Sequence, residues 1–266
     1  MAVDKLVDST QLDADLTSVA NAIRTKGGTS ASLAFPADFV QAIGDIPSGG
    51  GDPNENLKKW AEGTLATVDL TGATTIIAHF RYIQDGNTFT VFAPDAITIN
   101  GYAFAQSIKL TAIYCPVVQS VGNQAFYNTR LTTFVAPEYS NSYDLSAYAF
   151  AGSSSLTVVD VGNPRSIVAS CFNACSALNT LIIRGTEVTK LGSINAFNGT
   201  PFASGGAGGT IYIPKVLYDH LGDGGSYDYK AATNWSTVDG YGTITWAKIE
   251  GSVYETQYAD GTPVSS

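Results

Sequence analysis

Hydrophobic positions along the chain change their period near residue 66. Before it, apolar residues recur at helical spacing. Leu16, Val19, Ala20 and Ile23 stand at i, i+3, i+4 and i+7, one face of an α-helix that Asp13 or Asp15 caps and that stops at Lys26-Gly27-Gly28. A second short helix is predicted from Phe35-Pro36, with Phe39 and Ile43 continuing its apolar face. Residues 1–47 therefore read as a small helical module. Ser48-Gly49-Gly50-Gly51-Asp52-Pro53 has the composition of a flexible linker, and residues 54–63 read as one more short helix, so that 48–65 is a joining segment.

After residue 66 the helical period gives way to short β-branched runs, and a repeat emerges. Phe80, Phe104, Phe126, Phe150, Phe172 and Phe197 follow one another at intervals of 24, 22, 24, 22 and 25 residues. In four copies a Leu comes five or six residues later: Leu110, Leu131, Leu156 and Leu178. Each opens the pattern L-x-x-apolar-x-apolar, completed by Ile113/Cys115, Phe134/Ala136, Val159/Val161 and Leu181/Ile183, and each segment closes on Pro or Gly. The first copy is degenerate and ends alike in Val91-Phe92-Ala93-Pro94, and the last keeps only Ile211-Tyr212-Ile213-Pro214. A period of about 23 residues is one turn of a solenoid, whose alternating strand residues point inward and whose Phe rings stack from turn to turn. Second alternating stretches at Ile97-Thr98-Ile99, 118–121, Ile167-Val168 and 188–191 give each turn two short strands and the molecule two parallel ladders. The predicted fold is mainly β with short helices: a solenoid of about five to six turns over 66–214, preceded by the helical module and closed by an aromatic cap over 215–266. In the cap, Pro214–Leu221 is predicted to hold a helical turn, and 242–246 and 252–254 read as strand-like.

Composition narrows the function classes. Charged residues are 14% of the chain, so Ser, Thr, Asn, Gly and Tyr must carry the surface. A net charge of −9 opposes binding to nucleic acid and to anionic lipid. Three cysteines provide no disulfide framework. The first twenty residues hold no apolar signal-peptide run, and no stretch approaches a membrane span, so synthesis in a cytoplasm without membrane insertion is expected.

Catalytic, cofactor and metal residues are expected to be absent. Cys171 and Cys175 fall in small-residue slots of the repeat, alongside Ala149 and Ser153, and Cys115 matches Ala136. His79 and His220 have no Ser or Cys partner in a recognisable motif. The glycines of 205–209 lack the Lys-Ser/Thr and helix of a phosphate loop and read as a flexible loop. Asp219, Asp223, Asp228 and Asp239 form no calcium-loop run, and Asp144, Asp160 and Glu187 lie out of register for paired-carboxylate glycoside cleavage. Fourteen tyrosines remain as candidate chemistry. Tyr82, Tyr102, Tyr114, Tyr127, Tyr139, Tyr143 and Tyr212 sit at positions read as non-core, and Tyr contributes apolar area and a hydroxyl at low entropy cost. Such a face suits a glycan or a protein epitope, or merely solvates a weakly charged solenoid. The candidate contact surface is Tyr102, Tyr114, Tyr127 and Tyr212, with Tyr114 and Tyr212 outward on one ladder.

The motif A-F-x-x-(C/S/T)-x-x-L-x-x-(I/V/L)-x-(I/V/A), best seen at Cys171–Ile183, resembles the Treponema-type, or BspA-like, leucine-rich repeat. Ile211–Pro214 with Tyr229-Lys230-Ala231-Ala232-Thr233-Asn234-Trp235 is similar to that family's closing segment. Residues 16–43 resemble a leader of tail, baseplate or head-decoration proteins of phages infecting Gram-positive bacteria. Together the resemblances imply a non-enzymatic virion structural protein that displays its repeats for adhesion to a host-surface protein or glycan. Leu16, Val19, Ile23, Phe35, Phe39 and Ile43 would anchor it to other virion proteins, and self-association through these helices is expected. The alternatives are a bacterial surface adhesin of the same repeat class and, third, a polysaccharide depolymerase.

Overall fold

The computed structural model describes residues 67–257. These belong to the second of two compact units, Gly50–Ser266. The helical module expected over 1–47, with its anchor residues, and the joining segment 48–65 lie outside the described residues.

In chain order the strands are β1 (Thr67–Asp69), β2 (Thr75–Ile76), β3 (Phe89–Phe92), β4 (Thr98–Ile99), β5 (Leu110–Tyr114), β6 (Ser120–Val121), β7 (Thr133–Val135), β8 (Asp144–Leu145), β9 (Val158–Asp160), β10 (Ser166–Ile167), β11 (Thr180–Ile182), β12 (Lys190–Leu191), β13 (Gly209–Ile213) and β14 (Ile244–Lys248). Short 3-10 turns η1 (Ala78–Phe80) and η2 (Ile194–Phe197) carry the first and last rings of the repeat at their ends. One-turn helices α1 (Lys215–Tyr218), α2 (Trp235–Asp239) and α3 (Val253–Thr256) belong to the cap.

Among the described residues every strand pairing is parallel. Sheets β1-β3-β5 and β7-β9-β11-β13-β14 make the first ladder, and β2-β4-β6 and β8-β10-β12 the second. Residues 67–191 thus wind a β-solenoid of about five turns, two strands to a turn. Register puts Val68, Val91 and Ile113 in one inward column, and Phe134, Val159, Leu181 and Ile211 in its continuation. Strands this short are stable only because neighbouring turns pair with them and one face is buried.

The six recurrent rings stand in single file. Successive centroids are 5.4, 5.3, 5.2, 5.5 and 5.8 Å apart from Phe80 through Phe197, and the planes tilt by no more than 19°. That is offset stacking at nearly the strand repeat. Trp235 of the cap continues the file, 5.7 Å from Phe197. Three residues beyond each ring from Phe104 onward a small side chain with a donor group is buried: Ser107, Thr129, Ser153, Cys175 and Thr200, whereas Ile83 holds that place after Phe80. Ser153 Oγ donates to the Phe126 carbonyl at 2.8 Å, and Cys175 Sγ to the Phe150 carbonyl at 3.0 Å. The thiol therefore fills the hydroxyl slot that the repeat register assigns to it.

A third ladder runs along the ring corner. The N–H groups of Phe104, Phe126, Phe150 and Phe172 donate to carbonyls of the next turn, as do those of Gln106, Asn128, Gly152 and Ala174, at 2.7–3.0 Å. The chain reaches this geometry by taking positive φ two residues after each ring, at Tyr82, Gln106, Asn128, Gly152, Ala174 and Gly199.

Both strand ladders are interrupted at one seam. β5 and β7 belong to different sheets, as do β6 and β8. Across the second gap Tyr139 supplies what the missing rung would: its hydroxyl accepts from Val121 N–H at 3.2 Å and donates to the Asp144 carbonyl at 2.7 Å. Tyr139, expected at a non-core position, is in fact buried. Its hydroxyl has two backbone partners inside, which removes the cost of burying it.

The cap closes the second ladder in the same way. The open edge of β12 meets side chains in place of a strand. Thr189 N–H donates to the Tyr229 hydroxyl at 3.1 Å, Trp235 Nε1 donates to the Thr189 carbonyl at 2.7 Å, and Asn234 Nδ2 donates to the Leu191 carbonyl at 2.7 Å. The first ladder instead gains a further strand, because β14 pairs with β13 along its whole length. The solenoid's sheet thus runs on past the boundary expected at 214. The strand-like reading of 252–254 is corrected: Val253 opens the one-turn helix α3, started by Ser252, whose hydroxyl accepts from Tyr254 N–H.

Candidate functional site

The four candidate contact tyrosines fall on two separate surfaces. Tyr102 and Tyr127 lie at the ring corner, whereas Tyr114 and Tyr212 lie on the outer face of the first ladder. At the corner, the Arg81 guanidinium stands 4.4 Å from the Tyr82 ring centroid and 5.1 Å from that of Tyr102, within cation–π range of both. The Tyr102 hydroxyl accepts from Gln124 Nε2 at 3.4 Å. Tyr148 occupies the same positive-φ position two turns along and is exposed, while Tyr127 is half-buried.

On the ladder face, Phe92 and Tyr114 are neighbours in register and their exposed rings stack at 5.2 Å and 8°. Tyr212 faces the same way on β13, but the buried Val135, Asp160 and Ile182 lie at the rungs between. Its ring is met edge-on by Tyr254 at 4.7 Å. Beside it, Arg184 binds Asp160 through Nε and Nη2, the latter at 2.7 Å, and donates from Nη1 to the Tyr254 carbonyl at 2.8 Å. A fully buried carboxylate with a bidentate partner here ties the end of the cap to the sheet. Tyr212 is thus tied into structural contacts as well as facing outward.

Most of the groups weighed for chemistry are buried or have a local partner. Burial pushes the thiols of Cys115 and Cys171 well up and that of Cys175 up to about 12, so they stay protonated. His220 Nδ1 lies 2.6 Å from Asp223 Oδ2, and Asp219 pairs with Lys215. Asp239 accepts from Trp246 Nε1 at 2.6 Å. Burial pushes the Asp228 carboxyl up, but backbone N–H donors, Gly224 and Lys230 among them, outweigh it and hold it below the usual range. Among the described residues no group of three His, Cys, Asp or Glu side chains is placed to hold a metal ion. The glycine loop of 205–209 packs closely: a Cβ on Gly206 would come within 2.3 Å of the Pro201 carbonyl oxygen, and Gly209 already begins β13.

Several surface residues carry no signal strong enough to find them by repeat counting alone. Arg81 and Tyr148 flank recurrent Phe positions, so the ring corner itself was the clue. Phe92 alternates with inward Val91. Asp144 and Arg165 form an exposed bidentate pair, at 2.9 and 2.7 Å, that only the pairing of β8 with β10 reveals. Hydrogen bonds from Arg165, helped by Ser166, hold the Asp144 carboxyl below the usual range.

Residues 75–202 match, in six copies, the family model described as BspA type leucine rich repeat region. The chain matches no curated protein and no solved structure. The stacked turns of residues 75–202 are BspA-type leucine-rich repeats.

Proposed function

We propose that this chain is a non-enzymatic phage virion structural protein, of a tail, baseplate or head fibre or decoration, that displays its repeat domain for adhesion to a host surface. The repeat region supports the adhesive half of this reading, because a stacked solenoid offers a long outer face and BspA-type repeats are typically interaction modules. The single observation that carries the virion half is the resemblance of residues 16–43 to phage leader segments. In this reading Leu16, Val19, Ile23, Phe35, Phe39 and Ile43 dock to other virion proteins, and copies self-associate through the same helices.

Mass spectrometry of purified particles tests the virion half. Peptides of this chain at a fixed ratio to a tail or capsid protein are expected. Its presence only on the envelope of cells that carry no phage genes favours the second reading, a bacterial surface adhesin built on the same repeats. Adhesion is tested by binding of the full chain to host cells, and a loss of host polysaccharide on incubation with the pure chain would contradict the non-enzymatic assignment.

A further inference from the structure

The seam in the second ladder shapes the outer surface above it. Because β6 and β8 are not paired, the chain between them is free to rise, and Ser140–Tyr143 forms a turn closed by Tyr143 N–H to the Ser140 carbonyl at 3.1 Å. Tyr143 is lifted to 51% exposure at its crest. Beside it is an open depression of about 350 Å³ whose polar lining includes Thr98, Asn100, Ser120, Asp144 and Arg165. Its lining also includes Gly101 and Gly122; a Cβ on Gly122 would lie 2.3 Å from the Gly101 nitrogen, so no side chain can fill that spot.

The polar groups are arranged as planar, paired partners. Asp144 Oδ1 accepts from Arg165 Nε at 2.9 Å and from Ser166 Oγ at 2.7 Å, and Oδ2 accepts from Arg165 Nη2 at 2.7 Å. Carboxylate and guanidinium are both partly exposed. These bonds use two of the five guanidinium N–H groups and three of about four carboxylate lone-pair sites, so the pair keeps both donors and an acceptor for adjacent hydroxyls of one ligand. Ser120 Oγ and Thr98 Oγ1, 3.3 Å apart, add groups that donate or accept. Tyr143 adds an exposed ring face for the C–H side of a pyranose.

Charge selects among ligands. Asp144 and Arg165 cancel locally, the whole chain carries −9, and neither a basic cluster nor a helix N-terminus faces the depression, so an anionic group is disfavoured. A peptide strand finds no free sheet edge here, since β4 is paired on both sides and the seam edge of β6 is already met by the Tyr139 hydroxyl at Val121 N–H and by Ser140 N–H, which donates to the Gln119 carbonyl. We infer that this depression is a binding site for a neutral saccharide carrying a vicinal diol, with Tyr143 as platform and Asp144 and Arg165 as the diol clamp. The inference rests on the adhesive reading above and names its ligand class. The volume suits one or two sugar rings.

The test titrates the full chain with neutral oligosaccharides of glucose, galactose and N-acetylglucosamine, with sialyllactose and inorganic phosphate as anionic probes, followed by saturation-transfer NMR. Saturable binding of a neutral oligosaccharide is expected. It should weaken roughly tenfold or more in Tyr143→Ala and in Arg165→Ala, the loss of about one good contact, and stay unchanged in Tyr148→Ala. Tyr143→Ala removes an exposed ring, so an unaltered unfolding midpoint in that variant separates lost binding from lost folding. No saturable binding across the neutral panel, a preference for the anionic probes, or equal affinity in Tyr143→Ala would each overturn the site. If the full chain still adheres to host cells under any of these outcomes, the adhesive reading stands without it; adhesion that only protease treatment of the cells abolishes points to a protein epitope instead.

Discussion

Two residues past each stacked ring, the backbone turns left-handed whatever residue is there. Glycine takes this position at 152 and 199, asparagine at 128, but tyrosine, glutamine and alanine take it at 82, 106 and 174. A non-glycine residue in this region pays about 1 kcal/mol or more in strain. The turn-to-turn hydrogen bond from the same residue, such as Ala174 N–H to the Asn198 carbonyl at 2.7 Å, holds it there. Ala174 has φ +59° and an exposed side chain. Ala174→Gly should therefore stabilise the domain by about 0.5–1 kcal/mol in urea denaturation, against the usual direction of such a change. Gly and Asn at this position are a left-handed signal that repeat counting did not pick out. It was obscured because Tyr, Gln and Ala share the slot. The cysteine slots, by contrast, followed directly from register, since position alone equates Cys175 with Ser153.

At the scale of the element, strands of two or three residues hold because every rung has a partner, and where a strand is missing a side chain takes its place. Tyr139 does this at the seam and Tyr229, Asn234 and Trp235 do it at the end of β12. Tyr139→Phe keeps the ring and removes the hydroxyl, leaving Val121 N–H and the Asp144 carbonyl without their partner inside the fold. The expected cost is about 1–3 kcal/mol, read from the denaturation midpoint, with Tyr143→Phe as a neutral comparison on the exposed crest. The alternation of apolar residues made most strands readable. β8 escaped because Leu145 is the one aliphatic residue in Ser142-Tyr143-Asp144-Leu145-Ser146, and its partner at i−2, Tyr143, is exposed. The burial of Tyr139 escaped for a different reason: two residues after Pro137 it stands in the slot that Ala96 and Val118 fill after Pro94 and Pro116, but its size and hydroxyl hid the match to those small apolar residues. The closing motif was legible as a motif, but its work as a surrogate strand depends on three side chains reaching one edge.

Across the whole molecule, buried thiols and phenols link stability to pH on the alkaline side. Burial raises the pKa of Cys115, Cys171 and Cys175 in the folded state, and pushes Tyr229 up to about 12. A raised folded value means that the contribution is fully present below the unfolded value, near 9 for a thiol, and is lost as pH rises toward the folded value. Stability should thus fall above about pH 9 by about 1.4 kcal/mol per pH unit for each thiol, levelling for Cys175 near 12. Urea midpoints at rising pH measure the slope. Replacing Cys115 and Cys171 with Ala and Cys175 with Ser should flatten it up to about pH 10, where the buried tyrosines begin to contribute; an unchanged slope would mean that the thiols are not buried.

The single file of rings is what joins these scales, since it spaces the corners, buries the slots and ends on Trp235 of the cap. A double-mutant cycle tests it most directly. Phe126→Ala and Phe150→Ala should each cost about 3–5 kcal/mol. Together they should depart from additivity by about 0.5–1.5 kcal/mol, the coupling of two touching rings. Phe80→Ala with Phe197→Ala, at opposite ends of the file, should add. Additive costs for the neighbouring pair, no different from the distant one, would contradict the stacked file on which the solenoid is built.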